Sequence, residues 1–419
     1  MFEEKHTGPN LPCPPKLVVN PTSPPKSKYA PLVYHLLKNI NISSEFYFAS
    51  GETLRFGSTA PKFTVTFHND KIFCKGLDEF TLGQAYVNGE IDIEGDMGSL
   101  FEIRPYLKRK KNFPLFLKFL YLFLFCNPLS VNKKAIAHHY TLGDDFYLSY
   151  TDQKYHLYTQ GHFHRDDESI EEASAHKMDF MWNALQLKPG MRLLDIGAGL
   201  AAVTRYCGPR GVHVTAVTLT KDSYNYHKNL IRINNIKNCQ VFLEDFMAHQ
   251  PAKPYDAIVI FGVIEHIPYY RNFAQKVWDC LKVNGRIYLD ASATIEKYRE
   301  HSFLRTYIYP GTLTFLCLQD IIQEFLFHGL EVLEVVDETH DYYLTLDQWA
   351  QRFEANRELI EKRWGEKIFR SFRLYLWAGR HAMSSRMTQG YRIIAKKNEN
   401  PGIKPKFMRR FRHFLLSLK

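Results

Sequence analysis

Two apolar runs of the 419-residue chain each lead into a carboxylate, and the residues around both are of kinds that move protons. "YDAIVIFGVIEHI" leads to Glu265 and His266. "GRIYLDASAT" (285–294) reads as a short strand, Ile287 to Leu289, ending on Asp290 and followed by small residues. Strand ends in open α/β sheets are where ligands bind, so both acids are candidates for general acid or base work. A third stretch, "KPGMRLLDIGAGLAAVTRYCG", reads as an apolar strand from Arg192 to Ile196, a Gly197-Ala198-Gly199 turn and the start of a helix, with Asp195 just before the turn. Glycines let backbone approach a ligand closely, and a helix N-terminus offers unpaired N–H groups. A dinucleotide fingerprint would want a third glycine where Ala201 or Ala202 stands, and an acid closing the next strand, which "HVTAVTLT" lacks. The remaining histidines, "HH" at 138–139 included, show no metal-ligand spacing, and no metal is expected.

Such groups need a scaffold, and residues 133–400 supply one by alternating strand-like and helix-like runs, the α/β signature. Residues 29–107 form a smaller module. In it "FTVTFHNDKIFCKG" predicts a hairpin turning at His68-Asn69-Asp70, and "LGQAYVNGEIDIEGDM" a short helix, a glycine turn and a strand. Residues 1–28 are proline-rich with little apolar periodicity and read as a disordered tail; no apolar leader segment is visible there. In residues 108–132 a basic run, Lys108 to Lys111, precedes an apolar segment, Phe113 to Cys126. That is short of the roughly 20 residues that cross a bilayer, so it reads as a buried helix or one lying in a membrane interface. Residues 401–419 read as a basic amphipathic helix, packed on its own domain or laid on lipid. The net charge of +10 favours an anionic partner. An anionic membrane surface fits; nucleic acid does not, because no recognition motif accompanies the charge. Seven scattered cysteines without a CxxC pair argue against a disulfide framework and fit a reducing cytoplasm.

The order of these motifs resembles that of class I S-adenosylmethionine (AdoMet) methyltransferases. "HHYTLGDDFYLSY", "YTQGHF", "LQLKPGMRLLDIGAG", "GVIEHI", "YIYPGT" and "DYYLTLDQWAQRF" follow one another as they do in the cyclopropane-fatty-acid synthase family, which includes the mycolic acid methyltransferases. The resemblance implies a Rossmann-like class I methyltransferase domain, a mixed, mostly parallel seven-stranded sheet flanked by helices, with a small N-terminal α+β domain that is lipid-associated. By the same resemblance Tyr158 and Thr159 contact the AdoMet carboxylate end, Gly197 and Gly199 lie under the methionine moiety after Asp195, and Thr218 and Leu219 stand near the ribose. Ser223 replaces the family's glutamine. Asp245 and Phe246 surround the adenine, and Tyr140 and Phe146 close over the cofactor.

Family enzymes methylate a cis double bond of an acyl chain and then remove a proton from the resulting cation. The family's base is a bound bicarbonate; Glu265 and Tyr342 match two of its holders, while Gln160 replaces a cysteine and Asp290 a histidine. A carboxylate beside Glu265 disfavours a bound anion. The expectation is therefore that Asp290, or an Asp290/Glu265 pair sharing a proton, serves as the base, with His266 fixing local structure or handling protons. The implied substrate is an unsaturated acyl chain, on a phospholipid, at the membrane periphery. The alternatives are a small-molecule N- or C-methyltransferase of the coclaurine type and a non-catalytic AdoMet- or lipid-binding protein. Product type and oligomeric state, a homodimer included, stay open.

Overall fold

The computed structural model describes residues 29–107, 113–126, 131–132, 134–136, 139, 141–297, 302–311 and 314–399, and the backbone of one short strand, Lys16–Val18. The chain divides into two compact units. One comprises residues 1–112 and 365–377, the other residues 113–364 and 378–419. The second unit thus takes in the apolar helix Phe113–Phe125 and gives up residues 365–377, so neither expected boundary is a simple cut. The helix expected over 401–419 lies outside the described residues, as does the tail apart from Lys16–Val18.

In the first unit, β1 (Lys16–Val18), β2 (Ser44–Tyr47), β3 (Thr53–Phe56), β4 (Phe63–Phe67) and β5 (Ile91–Gly95) form one sheet in the order β1-β3-β2-β4-β5. Alternation decides the inner face: in "FTVTF" the residues Phe63, Val65 and Phe67 are buried and the two threonines are not. The hairpin expected after β4 does not form. Asn69 Oδ1 accepts the Lys71 N–H at 3.0 Å, and a short helix, Lys71–Lys75, starts there instead of a second strand. Its Phe73 stacks on Tyr29, with ring centroids 4.6 Å apart, burying apolar area that a solvent-facing strand would have left exposed. The strand that pairs antiparallel with β4 is β5, after the helix Glu79–Val87 and a turn with Gly89 at positive φ, while β2 lies parallel on its other side. Residues 365–377 complete this unit. Leu374 and Trp377 pack on its core, and Arg370 reaches Asp92 at 2.6 Å and the Ile91 carbonyl at 3.0 Å.

In the second unit, β6 (Arg192–Ile196), β7 (His213–Thr218), β8 (Cys239–Leu243), β9 (Tyr255–Phe261), β10 (Leu281–Ala293), β11 (Leu330–Asp337) and β12 (Gln389–Lys397) make a seven-stranded sheet, ordered β11-β12-β10-β9-β6-β7-β8. Only β12 runs antiparallel to its neighbours. Both faces are covered, as parallel sheets require. Leu194, Ile196, Ile258 and Ile260 feed one core with the helices Tyr270–Cys280 and Leu318–Phe327. Leu193, Ala257 and Val259 feed the other with Ile170–Ala184 and Ala202–Cys207. After β6 the chain builds outward through β7 and β8, then returns to place β9 on the other side of β6. That reversal is a topological switch point, where a crevice opens beyond the strand ends.

Candidate active site

The loops after β6 and β9 flank the switch point. Gly197 and Gly199 take positive φ of 72° and 46°, and the N–H groups of Gly197 and Ala198 both donate to the Val217 carbonyl, at 2.9 and 3.2 Å. A Cβ on Gly197 would come within 2.4 Å of Val263 Cγ2, so the loop carrying Glu265 lies directly on the glycine turn. Behind the turn Asp195 is buried. Burial pushes its carboxyl up to about 7, and its Oδ2 has no hydrogen-bond partner. A buried polar oxygen left open beside a glycine turn suits a ligand that brings donors, as the amino acid end of AdoMet does. The Ser223 hydroxyl donates to the Gly199 carbonyl and so braces the turn. Thr218 closes β7, with Leu219 next and the Thr218 Oγ1 accepting from Thr220 N. Asp245 Oδ1 accepts from Met247 N at 2.9 Å, while Phe246 is buried with its ring edge toward Phe273.

Two expected cofactor contacts stand elsewhere or cannot be followed. Phe146 is fully buried among Tyr150, Phe353 and Trp364, as a core residue and not a cover over the crevice. Tyr140 lies outside the described residues. Tyr158 stacks on Trp349 at 5.2 Å, with Tyr147 edge-on at 5.0 Å.

Asp290 departs most from expectation. β10 does not stop at Leu289; it runs on to Ala293, and Asp290 sits inside the sheet, paired with Phe261 on β9 and Arg392 on β12. Its carboxylate is wholly buried; Oδ1 is hydrogen-bonded, while Oδ2 makes no hydrogen bond and is matched by charge alone. Lys177 Nζ lies 2.7 Å from Oδ2, while Oδ1 accepts the Gly262 N–H at 3.0 Å and has the Thr159 hydroxyl at 3.0 Å. Lys177 also donates to the Gln160 carbonyl at 2.8 Å and lies over the Phe261 ring. Gln160 is tied down too, its Nε2 donating to Glu338 Oε2 at 2.8 Å; Glu338 in turn pairs with Arg392. Among the described contacts nothing joins Asp290 to Glu265. A carboxylate matched by an ammonium in a dry interior is held as one half of a pair, because removing either partner would strand the other's charge.

Glu265 is arranged the other way. It too is buried, at 6% exposure, but only one of its oxygens is engaged. Oε1 accepts the backbone N–H and the hydroxyl of Ser292, each at 2.9 Å, and Oε2 has no partner. Burial pushes its carboxyl up to about 7, with the Asp290 charge adding in the same direction. Tyr342 connects to this corner through the sheet: its ring lies against Gly390, which pairs with Ser292. Burial pushes the His266 imidazole down to about 4, so it is neutral near pH 7, and its ring is tilted toward Tyr309 at 5.4 Å.

Sequence reasoning missed Lys177, Ser292, Glu338 and Arg392. For Lys177 a signal was present: Ala173, Ser174, Lys177, Met178 and Met181 are the inward stripe of the helix Ile170–Ala184, so the lysine stands in a row of otherwise small and apolar residues.

The family model for mycolic acid cyclopropane synthetase matches residues 129–393. The chain is similar to the sphingolipid C9-methyltransferase of Komagataella phaffii, 24% identical over 377 residues, 83% of this chain and 77% of the relative. It is also similar to cyclopropane mycolic acid synthase 1 of Mycobacterium tuberculosis, 28% identical over 257 residues, 57% of this chain and 88% of that one. Among solved structures, mycolic acid cyclopropane synthase CmaA1 complexed with SAH and CTAB aligns with a TM-score of 0.58 at 25% identity, covering 63% of this chain and 98% of its own. Coclaurine N-methyltransferase aligns at 0.56 over 69% and 88%; at 18% identity that likeness speaks to the fold alone.

Proposed function

The chain is an AdoMet-dependent methyltransferase belonging to the mycolic acid cyclopropane synthetase family, and from that premise we propose that it C-methylates a double bond in an unsaturated acyl chain of a membrane phospholipid. AdoMet, when bound, supplies an electrophilic methyl group. Gly197, Gly199, Asp195 and the strand end at Thr218 and Leu219 are the residues that would hold it. Attack by the π electrons leaves a cation on the lipid chain, and a proton must leave the new methyl or a neighbouring carbon. Loss from the methyl closes a cyclopropane; loss from a neighbouring carbon leaves a methyl-branched alkene; a 1,2-hydride shift that moves the cation onto the methylated carbon, followed by loss from the methyl, leaves a methylene.

Glu265 carries this reading. One oxygen is pinned by Ser292, the other is open, and its pKa near 7 leaves it partly ionised at neutral pH, as a general base requires. An added bicarbonate finds poor support, since the Gly262 N–H, Thr159 and Lys177 are already turned to Asp290. Asp290, Thr159, Gln160 and Lys177 then position the loop and are not the base. The helix Phe113–Phe125 supports a lipid acceptor: Phe113, Phe116, Leu117, Tyr121, Leu124 and Phe125 are all exposed. At about 1.5 Å per residue it spans roughly 20 Å, short of the ~30 Å hydrocarbon core, and no helix among the described residues is long and apolar enough to cross a membrane. It fits a helix lying in the interface. A second acceptor, an unsaturated sphingoid chain, is favoured by the likeness to a sphingolipid C9-methyltransferase along most of this chain.

The test is purified protein with AdoMet and anionic vesicles carrying either a cis-unsaturated phospholipid or an unsaturated sphingolipid, read by lipid mass spectrometry. A gain of one CH₂ per chain in the phospholipid supports the first reading. A gain only in the sphingolipid moves the acceptor to the second, and no gain in either sinks the lipid assignment.

A further inference from the structure

Beside the active site, on the stretch that delivers Tyr158, Thr159 and Gln160, three donors converge that the proposed reaction does not use. His164 comes from the loop, Glu168 from just before the Ser169 cap, and His176 from the second turn of the helix Ile170–Ala184. One ligand atom from each lies within 4.8 Å of the other two. His176 Nδ1 is 3.4 Å from Glu168 Oε2 and has no hydrogen-bond partner although it is buried. The Glu168 carboxylate is almost wholly buried and its Oε2 accepts the backbone N–H of His164 at 2.9 Å, which fixes its direction. The two imidazoles stack with centroids 3.9 Å apart and planes within 10°.

We propose that His164, Glu168 and His176 form a binding site for a divalent transition cation of the zinc class, which fastens the loop to the helix that carries Lys177. Two imidazoles and a carboxylate are a donor set that zinc accepts, with a fourth position left to water. Exposed His164 is the donor that must turn, because parallel rings do not aim their lone pairs at one point. Donors around a tetrahedral ion stand about 3.3 Å apart, so the trio has to tighten only modestly. A neighbouring trio, His162, Glu338 and Asp341, is a weaker candidate, since Glu338 is already committed to Arg392 and Gln160. The expectation of no metal rested on linear spacing, which does not reveal donors drawn from a loop, a residue before a cap and a helix.

The experiment is zinc titration of the metal-free full chain against a chromogenic chelator. The wild type should take up one high-affinity equivalent per chain. His164→Ala, at an exposed position that leaves folding intact, and His176→Ala should each weaken it by at least about tenfold, the least that even outer contacts of a metal cost. The melting temperature of the wild type should rise with zinc and that of His164→Ala should not. Equal zinc uptake by wild type and His164→Ala, or no high-affinity uptake by the wild type, overturns the proposal.

Discussion

Two buried carboxylates stand near the C-terminal ends of the adjacent strands β9 and β10, and their surroundings could hardly differ more. At Asp290 one oxygen is hydrogen-bonded by the Gly262 N–H and the other, which makes no hydrogen bond, faces the Lys177 ammonium at 2.7 Å; Lys177 is itself tied to Gln160, and Gln160, through Glu338, to Arg392. At Glu265 one oxygen is answered by Ser292 and the other faces no protein donor. A carboxylate with a matching charge makes a joint; one without makes a reagent, because only an open oxygen on a group poised near neutrality can take a proton from something else.

The comparison breaks first at Glu265→Gln, which should lower methyl transfer by about 10²- to 10⁴-fold, the usual worth of a general base, while AdoMet affinity measured by calorimetry changes little. Turnover by Glu265→Gln close to wild type would return the role of base to another group. Lys177→Met should instead show in stability. Leaving Asp290 buried without its partner should cost about 3–5 kcal/mol in urea denaturation, and the double variant Lys177→Met with Asp290→Leu should recover most of it. If Lys177→Met unfolds at the wild-type midpoint, the Asp290 corner is not the joint described. Next in size, Gly197→Ala meets Val263 and a positive φ, and should cost about 1–3 kcal/mol together with a weakened AdoMet affinity. The wild-type rate should rise with pH below about 7 and level off above it, as Glu265 ionises. The sign for stability is opposite. A carboxyl whose folded pKa lies above its unfolded value stabilises the fold below the unfolded value and loses that contribution as pH rises through about 7; Asp195 acts in the same direction. The smallest effect is Ser292→Ala, which removes the hydroxyl donor, keeps the backbone one, and should move the rate midpoint slightly upward.

What could be read in advance divides along the same line. The glycine turn, the apolar strands and the α/β order were legible because they depend on local pattern: the alternation of Leu193 with Leu194, or the φ that only glycine takes cheaply at Gly197. The fate of Asp290 was not. "IYLDASA" looks like a strand that stops at its acid, and only the pairing with β9 and β12 shows that it continues. Its counter-ion lies far away in sequence on a helix, so the matching charge is a tertiary fact. The failed hairpin at His68-Asn69-Asp70 shows the same limit at short range. Asn69 serves a helix start as readily as a strand turn, and burial of Phe73 decided between them.

Residues 365–377 complete the first unit, although its five strands are all made before residue 96. During synthesis that unit therefore cannot finish early. Until Arg370, Arg373, Leu374 and Trp377 have emerged, the Ile91 and Ile93 carbonyls and part of its aromatic core wait for partners encoded almost three hundred residues later. Most of the second unit is translated in that interval, and it in turn waits for β12, which enters its sheet between β10 and β11; both units are thus closed by segments made long after their first strands, and a fragment ending at residue 112 is an unfinished domain.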